Sequence, residues 1–423
     1  MNGFRQRDGY VADTLYPSNY HQPIQPPWLD AVLALNGVLP PRSSGAPFTY
    51  VDLGCGDGLG LILTAAAHPH GRFIGVDIMP EHVARGQALV DRIGLKNISL
   101  RCSSFADQRA EADGSADYVA AHGVLTWISA ENRERLMDLA AQWLRPGGAF
   151  TLSYNTLPGW AERTPFQALV RATAQAMQGD STERFKAACA HLRPLGLIDA
   201  QVWAELDERV SDTADSYFAH EYLHDHWAPA WSGDVITAMA KRDMAYIGHA
   251  GSERLRDDLC LTEGWRTTLD QCLSVPEREI AADILTHCWF RRDVYVKAPF
   301  AVFEDAEVAD VRMNSNWSLA TGANRQAALN CETLGGQIDF DNAAAGAILA
   351  ALKQGPTTLH AISTQSSIDP ADILHTADAL WIADRIIPID ISTAKSEIVR
   401  VLADFNDAGI SVNGAKLRNN GNG

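Results

Sequence analysis

The chain has 423 residues, more than one compact core usually organises, so two or three domains are expected. Its 46% hydrophobic and 21% charged content is ordinary for a soluble globular protein, and a formal net charge of −17 counts against a nucleic-acid or anionic-membrane surface. The N-terminus has no apolar signal core, no run approaches about 18 uninterrupted apolar residues, and the seven cysteines are singletons without a CxxC pair, which points to a reduced, cytoplasmic protein with no membrane span.

In chain order, residues 1–45 form a proline-rich lead-in around a short helix at 28–37. A strand at 48–53, a glycine turn at 54–60 and a helix at 61–67 follow. A second strand at 72–76 ends at Asp77. A helix is expected over 80–93, strands over 98–102 and 118–124, a helix over 133–144 and a fifth strand over 149–154. Strands alternating with helices at this spacing predict a parallel, doubly wound Rossmann-like α/β sheet with ligand at the carboxyl ends of its strands. The pattern is helical from about 164 to 206, and 234–249 reads as helix then strand, a return to the sheet. The expected organisation is therefore a sheet domain over 1–250 with a helical insertion at about 164–215, then a helical middle region over 251–304. A winged-helix-like domain over 305–412 and an Asn/Gly-rich disordered tail over 413–423 complete it.

Gly54, Gly56 and Gly58 follow a strand and let the backbone turn tightly and approach a ligand where a Cβ would collide. A dinucleotide fingerprint needs its third glycine at position 59, where this chain has Leu59. GxGxG without that spacing suits adenosylmethionine, whose amino-acid end needs close backbone approach and no pyrophosphate cradle. Asp77, at the end of the second strand, is placed to accept hydrogen bonds from both ribose hydroxyls. Asp52 either engages the methionine amino group or orients the loop.

With these residues in hand, the chain resembles the class I S-adenosylmethionine-dependent methyltransferases that carry a methyltransferase regulatory domain, a group including rickettsial-type protein-lysine methyltransferases. The motifs that carry the resemblance are VDLGCGDG (51–58), FIGVD (73–77), DYVAAHGVLTWI (117–128), LRPGGAFTLSYNTLPGW (144–160) and YFAHEYL (217–223), with AYIGHA (245–250) and FRRDVYVK (290–297) fitting the same pattern. The resemblance implies S-adenosyl-L-methionine as cofactor, with Asp52, Gly54, Gly56 and Gly58 at its methionine moiety and Asp77 at its ribose. Where class I enzymes often place an Asp near the adenine amino group, this chain has Ser103, Ser104 and Phe105. Ser104 can accept that bond and Phe105 can line the ring.

Methyl transfer from a sulfonium is an in-line displacement with an already activated donor, so the protein must align the acceptor and exclude water. A lysine acceptor, with a free pKa near ~10.4, must also lose a proton. His122, near the end of the fourth strand, is placed to contact the donor or the acceptor; the alternative is a packed histidine bonded to a backbone carbonyl. Tyr154 and Asn155 follow the fifth strand and could orient an amine. Trp127 and Trp160 are candidate walls of a substrate channel, against a core or loop-packing role. Asp117, at the start of its strand, points to the opposite edge of the sheet and reads as structural.

One motif competes. HEYLH (220–224) formally matches the HExxH zinc-protease signature, with Glu221 as its base. No third ligand follows at the spacing such sites use, so no resident metal is expected. The expected partner is a methyl acceptor, protein or small molecule, with no nucleic acid, no membrane and a homodimer among the arrangements open to the chain. N-methylation of protein lysine is the activity the resemblance implies. A small-molecule methyltransferase and a transfer-inactive, cofactor-binding interaction protein are the alternatives.

Overall fold

The computed structural model describes residues 6–390 apart from 8, 15, 18–19, 109–111, 213–214 and 321–328; the tail expected over 413–423 lies outside the described residues. Seven strands make one sheet: β1 (Phe48–Leu53), β2 (Gly71–Asp77), β3 (Ile98–Cys102), β4 (Ala116–His122), β5 (Leu144–Asn155), β6 (Met244–His249) and β7 (Phe290–Lys297). Their order is β3-β2-β1-β4-β5-β7-β6. The first five run parallel, and β7 is antiparallel to both of its neighbours. The doubly wound α/β sheet is thus present. The domain boundary expected at residue 250 instead falls inside it, because β7 inserts between β5 and β6.

The central strands are apolar on both faces, as a covered parallel sheet requires. Tyr50, Phe73 and Tyr118 enter one core, where they meet residues of α1 (Pro26–Leu35), α2 (Leu59–Ala67) and α3 (Pro80–Ile93). Val51, Ile74 and Val119, one position on in each strand, enter the other, which holds Leu136, Leu139 and Trp143 of α4 (Ala130–Trp143). Ser129 caps α4 by accepting from the backbone N–H of Asn132. Asp117 takes the Thr49 N–H at 2.8 Å and Arg145 Nε at 2.7 Å, holding the strand starts together at the edge away from the ligand side.

After β5 come the helices α5 (Thr164–Ala174), α6 (Ser181–Leu192), α7 (Ala200–Asp212) and α8 (Asp215–Tyr222). They build their own core around Phe166, Phe185, Trp203, Phe218 and Tyr222. α9 (Ser232–Ala240) then packs on the α4 side of the sheet and leads into β6. α10 (Val275–Thr286) precedes β7 and is bound to it by a buried ionic cluster. Arg291 of β7, with no exposed surface, donates to Asp293 at 2.7 Å and to Asp283 and Glu279 of α10 at 2.6 and 2.8 Å.

The C-terminal residues described comprise α11 (Asp305–Met313), α12 (Ala343–Gln354), α13 (Leu359–Ser366) and α14 (Pro370–Ile382). With them goes a small antiparallel sheet of Thr357–Thr358, Asn316–Leu319 and Ile386–Ile389. This unit shares the core under α1: Trp381 packs edge-on against both Trp28 and Trp317, at ring distances of 5.1 and 5.4 Å. Asp390 accepts from Arg42 at 2.6 Å, adding a buried ionic tie to the lead-in.

Candidate active site

At the carboxyl ends of the parallel strands lies a cavity of about 760 Å³, within the range of pockets that hold small ligands. One end is built by the turn after β1. Gly54, Gly56 and Gly58 all have positive φ (+84°, +60° and +71°), a region costly for any side chain with a Cβ. A Cβ on Gly54 would also come within 2.4 Å of Val124, whereas one on Gly56 would meet nothing within 4 Å, because that position borders the open cradle. The loop is held to β2: Gly54 N–H donates to Val76 O at 2.7 Å and Gly56 N–H to the Asp77 carboxylate at 2.9 Å. The second Asp77 oxygen takes the Met79 N–H at 2.8 Å. Each carboxylate oxygen keeps further acceptor capacity.

Asp52 also lines this end. Burial, with Asp77 beside it, pushes its carboxyl up to about 7. Gly86 of α3 was not singled out from sequence, yet it lets the helix touch the loop: a Cβ there would stand 2.1 Å from the Asp57 carbonyl oxygen. Farther along, Ile78, Phe105 and Ile128 give apolar lining beside Ser104. The Ser104 hydroxyl donates to Asp107 at 2.7 Å and accepts from the Asp107 N–H, capping a short helix.

His122 lines the middle of the cavity, and its Nδ1 sits 2.8 Å from Ser153 Oγ rather than on a backbone carbonyl. Its ring lies 3.7 Å from that of His21, a residue of the lead-in that no sequence pattern marked. Burial, then the neighbouring His21 and Arg292, hold the His122 imidazole well below its usual range, so it is neutral. Burial and Arg292 likewise bring His21 down to about 4.

Tyr154 and Asn155 part company. Side chains alternate along a strand, so Ser153 and Asn155 face the ligand side while Tyr154 enters the opposite core. The Tyr154 hydroxyl donates to buried Asp293 at 2.7 Å, and its ring does not line the cavity. The expectation that it orients an acceptor is corrected on that ground. Asn155 does line the cavity, with its Nδ2 donating to Glu221 Oε1 at 2.7 Å.

Trp127 and Trp160 wall the same end. They are 7% and 2% exposed, and neither indole N–H has a hydrogen-bond partner among the described residues, although buried indoles usually find one. Arg133 positions Trp127 by donating to the carbonyls of Thr126 and Ala228 at 3.1 and 2.9 Å, which clamps the turn after β4 to the segment after α8. The two histidines of HEYLH are otherwise engaged. His220 Nε2 is 3.0 Å from Thr14 O, and His224 Nδ1 accepts from Val11 N–H at 3.1 Å.

The cavity's features fit an adenosylmethionine: an open glycine cradle, two carboxylates beside it, an apolar slot past β3 and volume to spare for an acceptor. Comparison with known proteins agrees. Residues 51–148 match the family model of a methyltransferase domain, and residues 214–297 that of a predicted methyltransferase regulatory domain. The chain is 24% identical over 365 residues to an uncharacterized protein of Synechocystis, covering 85% of this chain and 72% of that one. It is 28% identical over 214 residues to an uncharacterized protein of Rickettsia prowazekii, covering 49% and 84%. Among solved structures, PKMT2 from Rickettsia typhi in complex with AdoHcy superposes with a TM-score of 0.68 at 20% identity, over 89% of this chain and 77% of that one, a likeness of fold. The 214–297 match accounts for one wall of the cavity, since Glu221, Arg254, Trp289 and Arg292 all come from it. Among the described residues, no helix is long and apolar enough to cross a membrane.

Proposed function

We propose that this chain, which belongs to the class I S-adenosylmethionine-dependent methyltransferases carrying a methyltransferase regulatory domain, methylates lysine side chains of proteins. When bound, S-adenosylmethionine supplies a methyl group already activated on a sulfonium. The chain's own residues hold the reactants, exclude water and handle the proton. In this reading Asp77 accepts from the ribose hydroxyls, and the backbone at Gly54, Gly56 and Gly58 lets the methionine moiety approach. Asp52 receives its ammonium directly or through water, and Ser104 and Phe105 flank the adenine. Neutral His122 forms the wall between donor and acceptor.

What supports a lysine acceptor is the end of the cavity beyond Asn155, where Trp127 and Trp160 stand with Glu221. Aromatic faces accommodate an aliphatic stem and attract a cation, and a carboxylate suits an ammonium head. The likeness to rickettsial-type enzymes supports the same acceptor. The test is to incubate the full chain with methyl-labelled S-adenosylmethionine and a lysate of cells lacking the protein, then to separate proteins from metabolites. Label on protein is the expected result. Label confined to metabolites would select a small-molecule acceptor, and tight cofactor binding without label in either fraction would select an interaction module.

A further inference from the structure

We infer that Glu221 is the group that receives the acceptor amine's proton; this rests on the amine-acceptor reading above. The HEYLH stretch divides by geometry. His220 and His224 turn to the N-terminal segment and are held there by Thr14 O and the Val11 N–H. Glu221 faces the cavity instead, together with Tyr217 one helical turn before it, as an i, i+4 pair should. The carboxylate is 3% exposed and is held by the Asn155 side-chain amide at 2.7 Å. Asn155 is itself anchored, its N–H donating to Thr126 Oγ1 at 2.9 Å and its carbonyl accepting from Ala230 N–H at 3.1 Å. Asn155 lies two residues beyond Ser153, the β5 partner of His122, so Glu221 stands beside the strand end that the donor reading assigns to the transferred methyl.

What sets Glu221 apart from the cavity's other titratable groups is its place on Asn155, at the strand end after Ser153. Titratable groups lining it from the neighbouring elements include Tyr10 and Tyr16 of the lead-in, His21, His122 of β4, Asp52, Asp57 and Asp77 at the glycine-loop end, His82 of α3, and Glu253 and His287 from the 214–297 region. Burial, with Asp77 next in effect, keeps the Tyr10 hydroxyl protonated. Burial, then Arg292, disfavours a positive charge on His21, and burial, then His21 and Arg292, disfavours one on His122. Asp52 belongs to the glycine-loop end. Arg254, which also lines the cavity, is already protonated and cannot accept another proton.

The step balances. An N–H bond of the ammonium breaks as an O–H bond forms on Glu221, leaving a lone pair on nitrogen. That lone pair forms the new N–C bond while the donor's S–C bond breaks and its electrons stay on sulfur. The proton on Glu221 passes to solvent as the methylated, again cationic, product leaves.

The test uses full-length Glu221→Gln and Glu221→Asp with the proteins of the same lysate as acceptor, at saturating cofactor so that Asp52 does not shape the profile. AdoHcy titration, expected unchanged in both variants, verifies an intact fold. Glu221→Gln should lower turnover about 100-fold near neutral pH. Its rate should then climb about tenfold per pH unit toward the ~10.4 of a free lysine, while Glu221→Asp recovers part of the activity and the wild-type plateau. Turnover of Glu221→Gln within threefold of wild type, or a parallel pH profile, would overturn the inference while leaving the amine reading intact. Wild-type label on no amine would overturn both.

Discussion

Gly56 and Asp77 are joined by a 2.9 Å hydrogen bond from the Gly56 backbone N–H to the Asp77 carboxylate, across the turn that links β1 to the edge of the cavity. The residue assigned to the ribose thus also holds the loop assigned to the methionine. Asp77→Ala should therefore weaken AdoHcy more than the loss of one ligand contact would. Charge-assisted hydrogen bonds are worth about 1.5–3 kcal/mol each, so a loss of roughly 10- to 100-fold or more is expected by isothermal titration. Unchanged affinity would remove the ribose from Asp77.

Asp52 predicts a pH dependence. Its carboxyl, pushed up to about 7 by burial and then by Asp77, is partly protonated in the free protein at neutral pH. A cationic ligand favours the ionised form, so affinity for S-adenosylmethionine should rise with pH between about 5 and 7 and level off above. In the same window the unliganded fold should lose stability as pH rises, because a carboxyl with a raised value binds more protons folded than unfolded. Asp52→Asn should flatten both trends.

Tyr154 and His122 should separate cleanly. Tyr154→Phe deletes the donor to buried Asp293 and is expected to cost about 1–3 kcal/mol of stability, read as a lower melting temperature, with turnover of the folded enzyme unchanged. His122→Ala removes a cavity wall that packs on His21 and should lower turnover by about tenfold or more. Full turnover in His122→Ala would take that residue out of the acceptor site.

Gly86 acts at one remove. A methyl group at this position must displace the Asp57 carbonyl, and overpacking of this kind costs about 1–3 kcal/mol. Gly86→Ala should weaken AdoHcy by roughly tenfold although Gly86 does not line the cavity. Wild-type affinity would show that the loop can shift freely.

The parts of this site legible from sequence are those coded locally. The glycine turn, the strand ending in Asp77 and the aromatic-rich turns after β4 and β5 each sit within a few residues of the strand that positions them. The insertion of β7 between β5 and β6 was not legible, because pairing across more than a hundred residues leaves no periodic trace. His21 reaches His122 from a proline-rich segment with no repeating pattern. Tyr154 could have been placed from strand alternation alone: once Asn155 faces the ligand, its neighbour must face away. Glu221 was visible as a possible base, but in a zinc motif, and only the opposite turning of His220 and His224 separates it from that chemistry.

The most direct test of the account is the chemical identity of the labelled residue. Protein labelled by the full chain and methyl-labelled S-adenosylmethionine should be hydrolysed in acid and its amino acids separated by mass. The account predicts label in methylated lysine, stable to hydrolysis. Label that is lost to base as a carboxyl methyl ester, or that is recovered only on a residue other than lysine, would contradict it.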